Sequence, residues 1–500
     1  MEFQKALETF HAEIEKMKAF GYAGAMVYWD LSTGAAHLAP QTRSKALGTL
    51  SAVRHEIMLS DETKEVMAVL EANKDQLSDI DRMQVEEVRR TIDKIEKIPT
   101  KEFREYVELT TKSQMVWEKA KHANDWASFA PYLEKIITFK RKFADYMGWE
   151  DHPYNAHLDD FERGMTVTKL DDFFATLKKT IVPLVHQIKA SQTAIDDDFL
   201  YLNYPTDKQA AFSNHVLESI GFDLSKGMLK ESEHPFTMGL CINDVRLTTH
   251  YYPEHVTSAI FSTIHEGGHG IYEQNFDEKL DGTVLADGTT AGIHESQSRL
   301  YENNIGRSLA FWIKFYPMLQ KDFKKQLDGV SVDMFHRAIN VSRPSFIRVE
   351  ADELTYSLHI MVRYEIEKGL MEGKYEVENL PQIWNTKMEE YLGITPPDDK
   401  HGVLQDVHWS DGLFGYFPSY ALGNAYAAQI DAKMRGDLDV DSLVEAGDFD
   451  PIRAWLTERV HQYGLTKRAE EIIEIATGEA LNPDYYAQYL TKKYTDIYQL

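Results

Sequence analysis

Through the first 150 residues, apolar side chains recur at three- and four-residue intervals among interleaved acids and bases, the period of an amphipathic helix. DRMQVEEVRRTIDKIEKI (81–98) and KEFREYVELTTKSQMVWEKAKH (101–122) show the pattern most plainly, and residues 168–192 and 206–220 repeat it. Turn signals fall at EDHPYN (150–155), LNYPTD (202–207) and ITPPDD (394–399). Neither an internal repeat nor a low-complexity or Gly/Pro/Ser-rich linker divides the chain. The pattern therefore predicts one continuous, mainly α-helical domain over residues 1–500.

One segment alternates instead. In CINDVRLTTHYY (241–252), Asp244, Arg246, Thr248 and His250 share one face, and Val245, Leu247 and Thr249 share the other. This predicts a short strand, either a sheet surface of no chemical interest or one whose backbone could pair with an extended ligand. A helix is expected directly after it, with Pro253 at its first position and Glu254 near its positive end.

That helix carries SAIFSTIHEGGHGIYEQ (258–274), where Ile260, Phe261, Ile264 and Ile271 are spaced as one buried face. Gly267, Gly268 and Gly270 interrupt it, each at about 1 kcal/mol relative to alanine. Their expected use is close approach of neighbouring backbone on the side away from His265 and His269.

Composition narrows the partners. The 500-residue chain carries a formal net charge of −26 and is 43% apolar. Such a surface repels nucleic-acid phosphates and anionic lipid, so neither is an expected partner. Cys241 is the only cysteine, which excludes an intrachain disulfide and a thiolate-rich metal site. The N-terminal segment lacks the apolar core of a secretion signal, and no uncharged apolar run reaches the roughly 18 residues of a membrane span. A soluble, cytoplasmic protein is expected.

His265 and His269, four residues apart, stack on one helical face, while Glu266 lies about 100° round. Two imidazoles can thus hold one metal ion while the carboxylate reaches a water beside it, the H-E-x-x-H arrangement of zinc peptidases. Two surface histidines would be the plainer account, but it leaves the glycines unexplained. A catalytic zinc site needs a third protein donor. GTTAGIHESQSRLYENNIGRSLAFW (288–312) offers one on a helix capped near Thr289 or Thr290: Glu295, with His294 a chemical competitor.

With these residues the chain resembles the carboxypeptidase Taq family of zinc metallocarboxypeptidases. Besides HEGGH, it has DVRLT (244–248), HESQ (294–297), IRVEAD (347–352) and GVLQDVHW (402–409) in the family's order. YWDLST (28–33), LDDFERGMT (158–166) and HPF (234–236) extend the likeness, while HLAPQTR (37–43) lacks an expected methionine before its proline. The resemblance implies a helical body like those of neurolysin and angiotensin-converting enzyme, two lobes flanking a deep groove, and zinc at its floor beside a small β element. It further implies release of single C-terminal residues from short peptides with broad specificity, zinc with cobalt able to substitute, and a cytosolic homodimer.

Among the ligands, the resemblance favours Glu295. It also makes Arg348 the fork for a peptide's terminal carboxylate, with Asp352 one turn on orienting it or a zinc-bound histidine. An ordinary salt bridge is the alternative for that pair, and Arg246 is the second candidate anchor. Tyr420 and His408 are expected opposite the metal as oxyanion donors, Glu266 as general base, and His234 along the groove. The rival readings are an endo-acting zinc oligopeptidase and a non-catalytic helical metal-binding protein.

Overall fold

The structure, a computed structural model, describes residues 1–36 and 38–500, so His37 of the HLAPQTR segment lies outside the described residues. Helices dominate, as the 3.6-residue pattern predicts. The segments read at 81–98, 101–122, 168–192 and 206–220 form helices Asp79–Lys97, Thr100–Ala123, Val167–Ala190 and Thr206–Ser219.

Two apolar cores result among the described residues. A smaller one is built by the N-terminal helix Phe3–Thr33 with Asp61–Ala72 and Asp79–Lys97, through Phe10, Ile14, Val66, Leu70, Val88 and Ile92. The larger runs from Ala120 to Tyr498. Two helices pass through its middle buried on every side, Glu353–Glu372 and Phe417–Asp437. The second is rich in small residues (Ala421, Gly423, Ala425, Ala427, Ala428), which lets helix Ala291–Arg299 lie close against it.

The three-stranded sheet is ordered β1 (Gly227–Glu231), β3 (Asp244–Thr249), β2 (Thr237–Cys241). β1 runs parallel to β3, pairing Gly227 with Val245 and Glu231 with Thr249, and β2 runs antiparallel, pairing Thr237 with Leu247. The predicted alternation in β3 holds over 244–247, where Val245 and Leu247 are fully buried and Asp244 and Arg246 half-buried, and ends at Thr248, which is buried like Thr249. Its expected role is corrected. β3 is the central strand, so its backbone is already paired on both sides; a guest strand could add only at β1 or β2.

The helix after β3 also starts later than predicted. Pro253 and Glu254 lie in a turn, where the Pro253 carbonyl accepts from Tyr204 N at 2.7 Å, and the helix spans Val256–Gln274 behind His255. Among the described residues, no helix is long and apolar enough to cross a membrane.

Candidate metal centre

Two helices meet to form the centre. Val256–Gln274 carries His265, Glu266 and His269, and Ala291–Arg299, capped by the Thr290 side chain on Ile293 N, carries Glu295. One of the three glycines explains how they meet. A Cβ on Gly268 would lie 2.5 Å from the Gln297 carbonyl oxygen and 2.7 Å from Ser298 Cα, so the Glu295 helix rests its backbone directly on Gly268. Gly267 and Gly270 differ from expectation. They make room for side chains, Leu217 and Ile220 at the first and Phe222 and Leu247 at the second. From the third side, Gly423 leaves space for the Glu295 side chain, whose Cγ would be 2.5 Å from an added Cβ.

Glu295 Oε2 stands 3.6 Å from His265 Nε2 and 3.5 Å from His269 Nε2. Bonds of about 2.1 Å in a tetrahedron place neighbouring donors about 3.4 Å apart. The donor set therefore fits a single divalent ion of the zinc class, and these residues form the metal-competent cluster found among the described residues.

Each of the three donor side chains is held from behind. His265 Nδ1 donates to Glu302 Oε2 at 2.9 Å, leaving the Nε2 lone pair toward Glu295. His269 Nδ1 lies 2.6 Å from His294 Nδ1, and His294 Nε2 is 3.0 Å from Glu273 Oε1. His294 thus acts behind His269 and is not gathered with the three donors. Glu295 Oε1 accepts from Arg299 Nε at 2.7 Å, and Arg299 also reaches Glu302 at 3.1 Å. Glu302 sits on a π-helical turn, Leu300–Ile305, that continues the Glu295 helix.

Electrostatics follow from this packing. Burial opposes ionisation of Glu295 and Glu302, yet Arg299 and the histidines outweigh it and hold both carboxyls well below their usual range. Burial, with His294 adding, lowers His269 to about 3, which keeps its ring in the neutral form that a metal binds. Burial raises the Glu266 carboxyl, tempered by His265 and by Thr237. Thr237 Oγ1, on β2, donates to Glu266 Oε2 at 2.6 Å and aims the carboxylate.

A second cluster surrounds Arg348. The expected Arg348–Asp352 turn does not form: Arg348 lies in a short 3-10 segment, Arg348–Glu350. Asp352 is instead the N-cap of helix Glu353–Glu372, accepting from Leu354 N and Thr355 N. A carboxylate committed to two of the helix's orphan amides is spent there. Arg348 donates from Nε to Asp406 Oδ1 at 2.9 Å and from Nη1 to Tyr356 Oη at 3.0 Å. Asp406 is shared with fully buried Arg363, whose Nε is 2.7 Å from Oδ2. Two guanidiniums face one carboxylate, a local excess of one positive charge. Arg246, by contrast, is matched one to one by Asp244 through two 2.8 Å bonds.

Arg348 lies 5.1 Å beneath the Tyr420 ring, and Tyr420 Oη is 3.4 Å from His408 Nε2. Burial lowers His408 to about 4, so its ring is neutral at pH 7. His234 is not gathered in; it sits on the exposed turn between β1 and β2. Sequence reading missed Glu302, Arg299, Glu273, Thr237, Arg363 and Tyr356. Two of them had a legible signal: Glu273, one further i+4 step beyond His269 on the ligand face, and Arg299, four residues on from Glu295.

Residues 9–494 match the family described as carboxypeptidase Taq (M32) metallopeptidase. Carboxypeptidase 1 of Bacillus subtilis (strain 168) is 47% identical over 501 residues, covering 100% of both chains. Thermostable carboxypeptidase 1 of Thermus thermophilus is 37% identical, covering 95% of each. Among solved structures, the M32 carboxypeptidase from Deinococcus radiodurans R1 superposes with a TM-score of 0.96 at 34% identity, over 99% of this chain and 100% of that one.

Proposed function

The chain belongs to the carboxypeptidase Taq (M32) metallopeptidase family and is a metallocarboxypeptidase, and from that premise we propose that it uses zinc to release C-terminal residues singly from short peptides. The observation that carries this reading is the convergence of His265 Nε2, His269 Nε2 and Glu295 Oε2 at 3.5–3.6 Å, with Glu266 beside them. When bound, the ion supplies Lewis acidity toward a carbonyl oxygen and lowers the pKa of water toward 7.

The protein's own groups do the rest. Glu266, aimed by Thr237, takes the proton of the attacking water and returns it to the departing amine. Tyr420 donates to the oxygen that gains charge, with His408 behind it, a contribution worth roughly 2.7–4 kcal/mol per donor in other systems. Arg348 holds the terminal carboxylate. It is favoured over Arg246 because the Arg348–Asp406–Arg363 group has charge to spare, whereas Asp244 neutralises Arg246. Its guanidinium stacks beneath Tyr420, so a carboxylate there brings the last peptide bond to the oxyanion donors.

From membership in the family we further propose a cytoplasmic homodimer working as one continuous catalytic unit over residues 1–500. The test is a time course of fragment masses from a free-acid peptide and its C-terminal amide, using zinc-loaded protein. Stepwise loss of single residues from the free acid, slow cleavage of the amide and silence with a chelator are expected. Early internal cuts would replace this reading with an endopeptidase.

A further inference from the structure

Tyr356 occupies the ground between the two clusters, and nothing in the proposed reaction yet uses it. It lies on the first turn of the helix that Asp352 caps and is 6% exposed. Its ring is stacked 4.7 Å from the Arg299 guanidinium, which holds Glu295, and meets the Tyr420 ring edge-on at 6.1 Å. Its Oη accepts from Arg348 Nη1 at 3.0 Å. A phenol has one proton to donate, and among the described residues no acceptor takes it from Tyr356.

An undonated hydroxyl proton beside a guanidinium, in a nearly closed site, suits an anion that arrives with the ligand. We propose that Tyr356 is a second anchor for the peptide's terminal carboxylate: Arg348 supplies charge, and Tyr356 Oη, oriented by the bond it accepts from Arg348, donates its proton to one carboxylate oxygen. This rests on Arg348 as the carboxylate site. Packing against the Arg299 guanidinium and the edge-on Tyr420 ring fixes the Tyr356 ring against rotation away, so the donor is preorganised at small entropic cost.

The consequence is a specific kinetic split. A contact made equally to bound substrate and transition state raises KM when lost and leaves kcat nearly unchanged. Removing a hydrogen bond to a charged group corresponds to about tenfold or more in affinity. Zinc-loaded wild type, Tyr356→Phe and Arg348→Ala are compared on a free-acid peptide and its amide. In parallel, calorimetry measures binding of the free product amino acid to metal-free wild type and Tyr356→Phe.

Tyr356→Phe is expected to raise KM for the acid about tenfold, to leave kcat and the amide within about twofold, and to weaken product binding to the metal-free protein. If Arg348→Ala abolishes the preference for the acid while Tyr356→Phe behaves as wild type, the Tyr356 proposal is overturned and the Arg348 site stands. If neither variant changes the preference, the Arg348 reading falls and this proposal with it. Equal losses on acid and amide, accompanied by a lowered melting temperature or metal content, assign Tyr356 a purely structural role and also overturn the proposal.

Discussion

Gly268→Ala tests how the metal centre is assembled. The added methyl would sit 2.5 Å from the Gln297 carbonyl oxygen and 2.7 Å from Ser298 Cα, both backbone atoms of the Glu295 helix. Ordinary carbon contacts begin near 3.5 Å, so the two ligand helices must part by about 1 Å. Overpacking of this kind costs about 1–3 kcal/mol, and the helix propensity of alanine returns about 1 kcal/mol. The net loss of stability is therefore at most about 2 kcal/mol. Spread over an unfolding entropy of about 2.1 cal/mol/K per residue, a chain of 500 residues would show a melting shift of only about 2 °C. Metal binding is the sharper readout. Glu295 rides on the displaced helix, and a site tolerates ligand distances only within about 0.2 Å, so the 3.5–3.6 Å donor spacing is lost. We expect zinc affinity, measured by competition with a chromogenic chelator, to fall by at least about tenfold, the scale seen when ligand positioning is disturbed. Gly267→Ala, which meets only the Leu217 and Ile220 methyl tips, should bind zinc nearly as wild type, and Gly48→Ala, with nothing within 4 Å, should gain stability. Undiminished zinc affinity in Gly268→Ala would refute the claim that this backbone contact seats Glu295.

Three further perturbations address the reaction and its supports. Glu266→Gln should keep its metal and fold but lose most turnover, because an amide cannot accept the proton from water; activity within a few-fold of wild type would remove Glu266 as base. Glu302→Gln should weaken zinc binding about 10- to 100-fold by loosening His265, and an unchanged affinity in the same competition assay would contradict this. Glu367 is fully buried beneath the His408 loop, receiving Tyr154 Oη, Trp409 Nε1 and Gly415 N, and burial raises its carboxyl to about 7. A raised carboxyl pKa adds stability that is complete at low pH and lost as pH climbs from the ordinary glutamate value toward 7, so the advantage of wild type over Glu367→Gln should decline across about pH 4.5–7. A difference that stays flat across that window in urea titrations would count against a raised pKa.

Much of the architecture was legible because helices and strands write their periods into the chain. The i, i+4 pair of His265 and His269, the alternation at 244–249 and the helix signal ahead of Glu295 each depend on local spacing, and local spacing survives folding. Boundaries were less secure. Pro253 and Glu254 satisfy the statistics of a helix start, yet Pro253 lends its carbonyl to Tyr204, a partner 49 positions away by number that no local rule can see. Asp352 failed for a related reason. Its i+4 spacing from Arg348 suited a salt bridge, but the same short carboxylate also suited an N-cap, and the helix Glu353–Glu372 needed one.

Two of the missed groups share a physical cause. Arg363 and Tyr356 lie on a helix buried on every face, where hydrophobic periodicity vanishes and a polar residue carries no mark of which neighbour it meets. Their partner or near neighbour, Asp406, comes from a loop more than forty residues along, so charge compensation in this cluster is decided only by tertiary packing. That packing matters for the chemistry. If Arg348 and Arg363 each had its own carboxylate, as Arg246 has Asp244, the cluster would be neutral and a substrate carboxylate would have to displace an existing ion pair to bind. Sharing one aspartate leaves a buried excess of positive charge, unfavourable for stability by itself, which an incoming carboxylate relieves. On the proposed reading of Arg348 as the carboxylate site, the same burial that costs the protein stability would strengthen recognition of a free C-terminus.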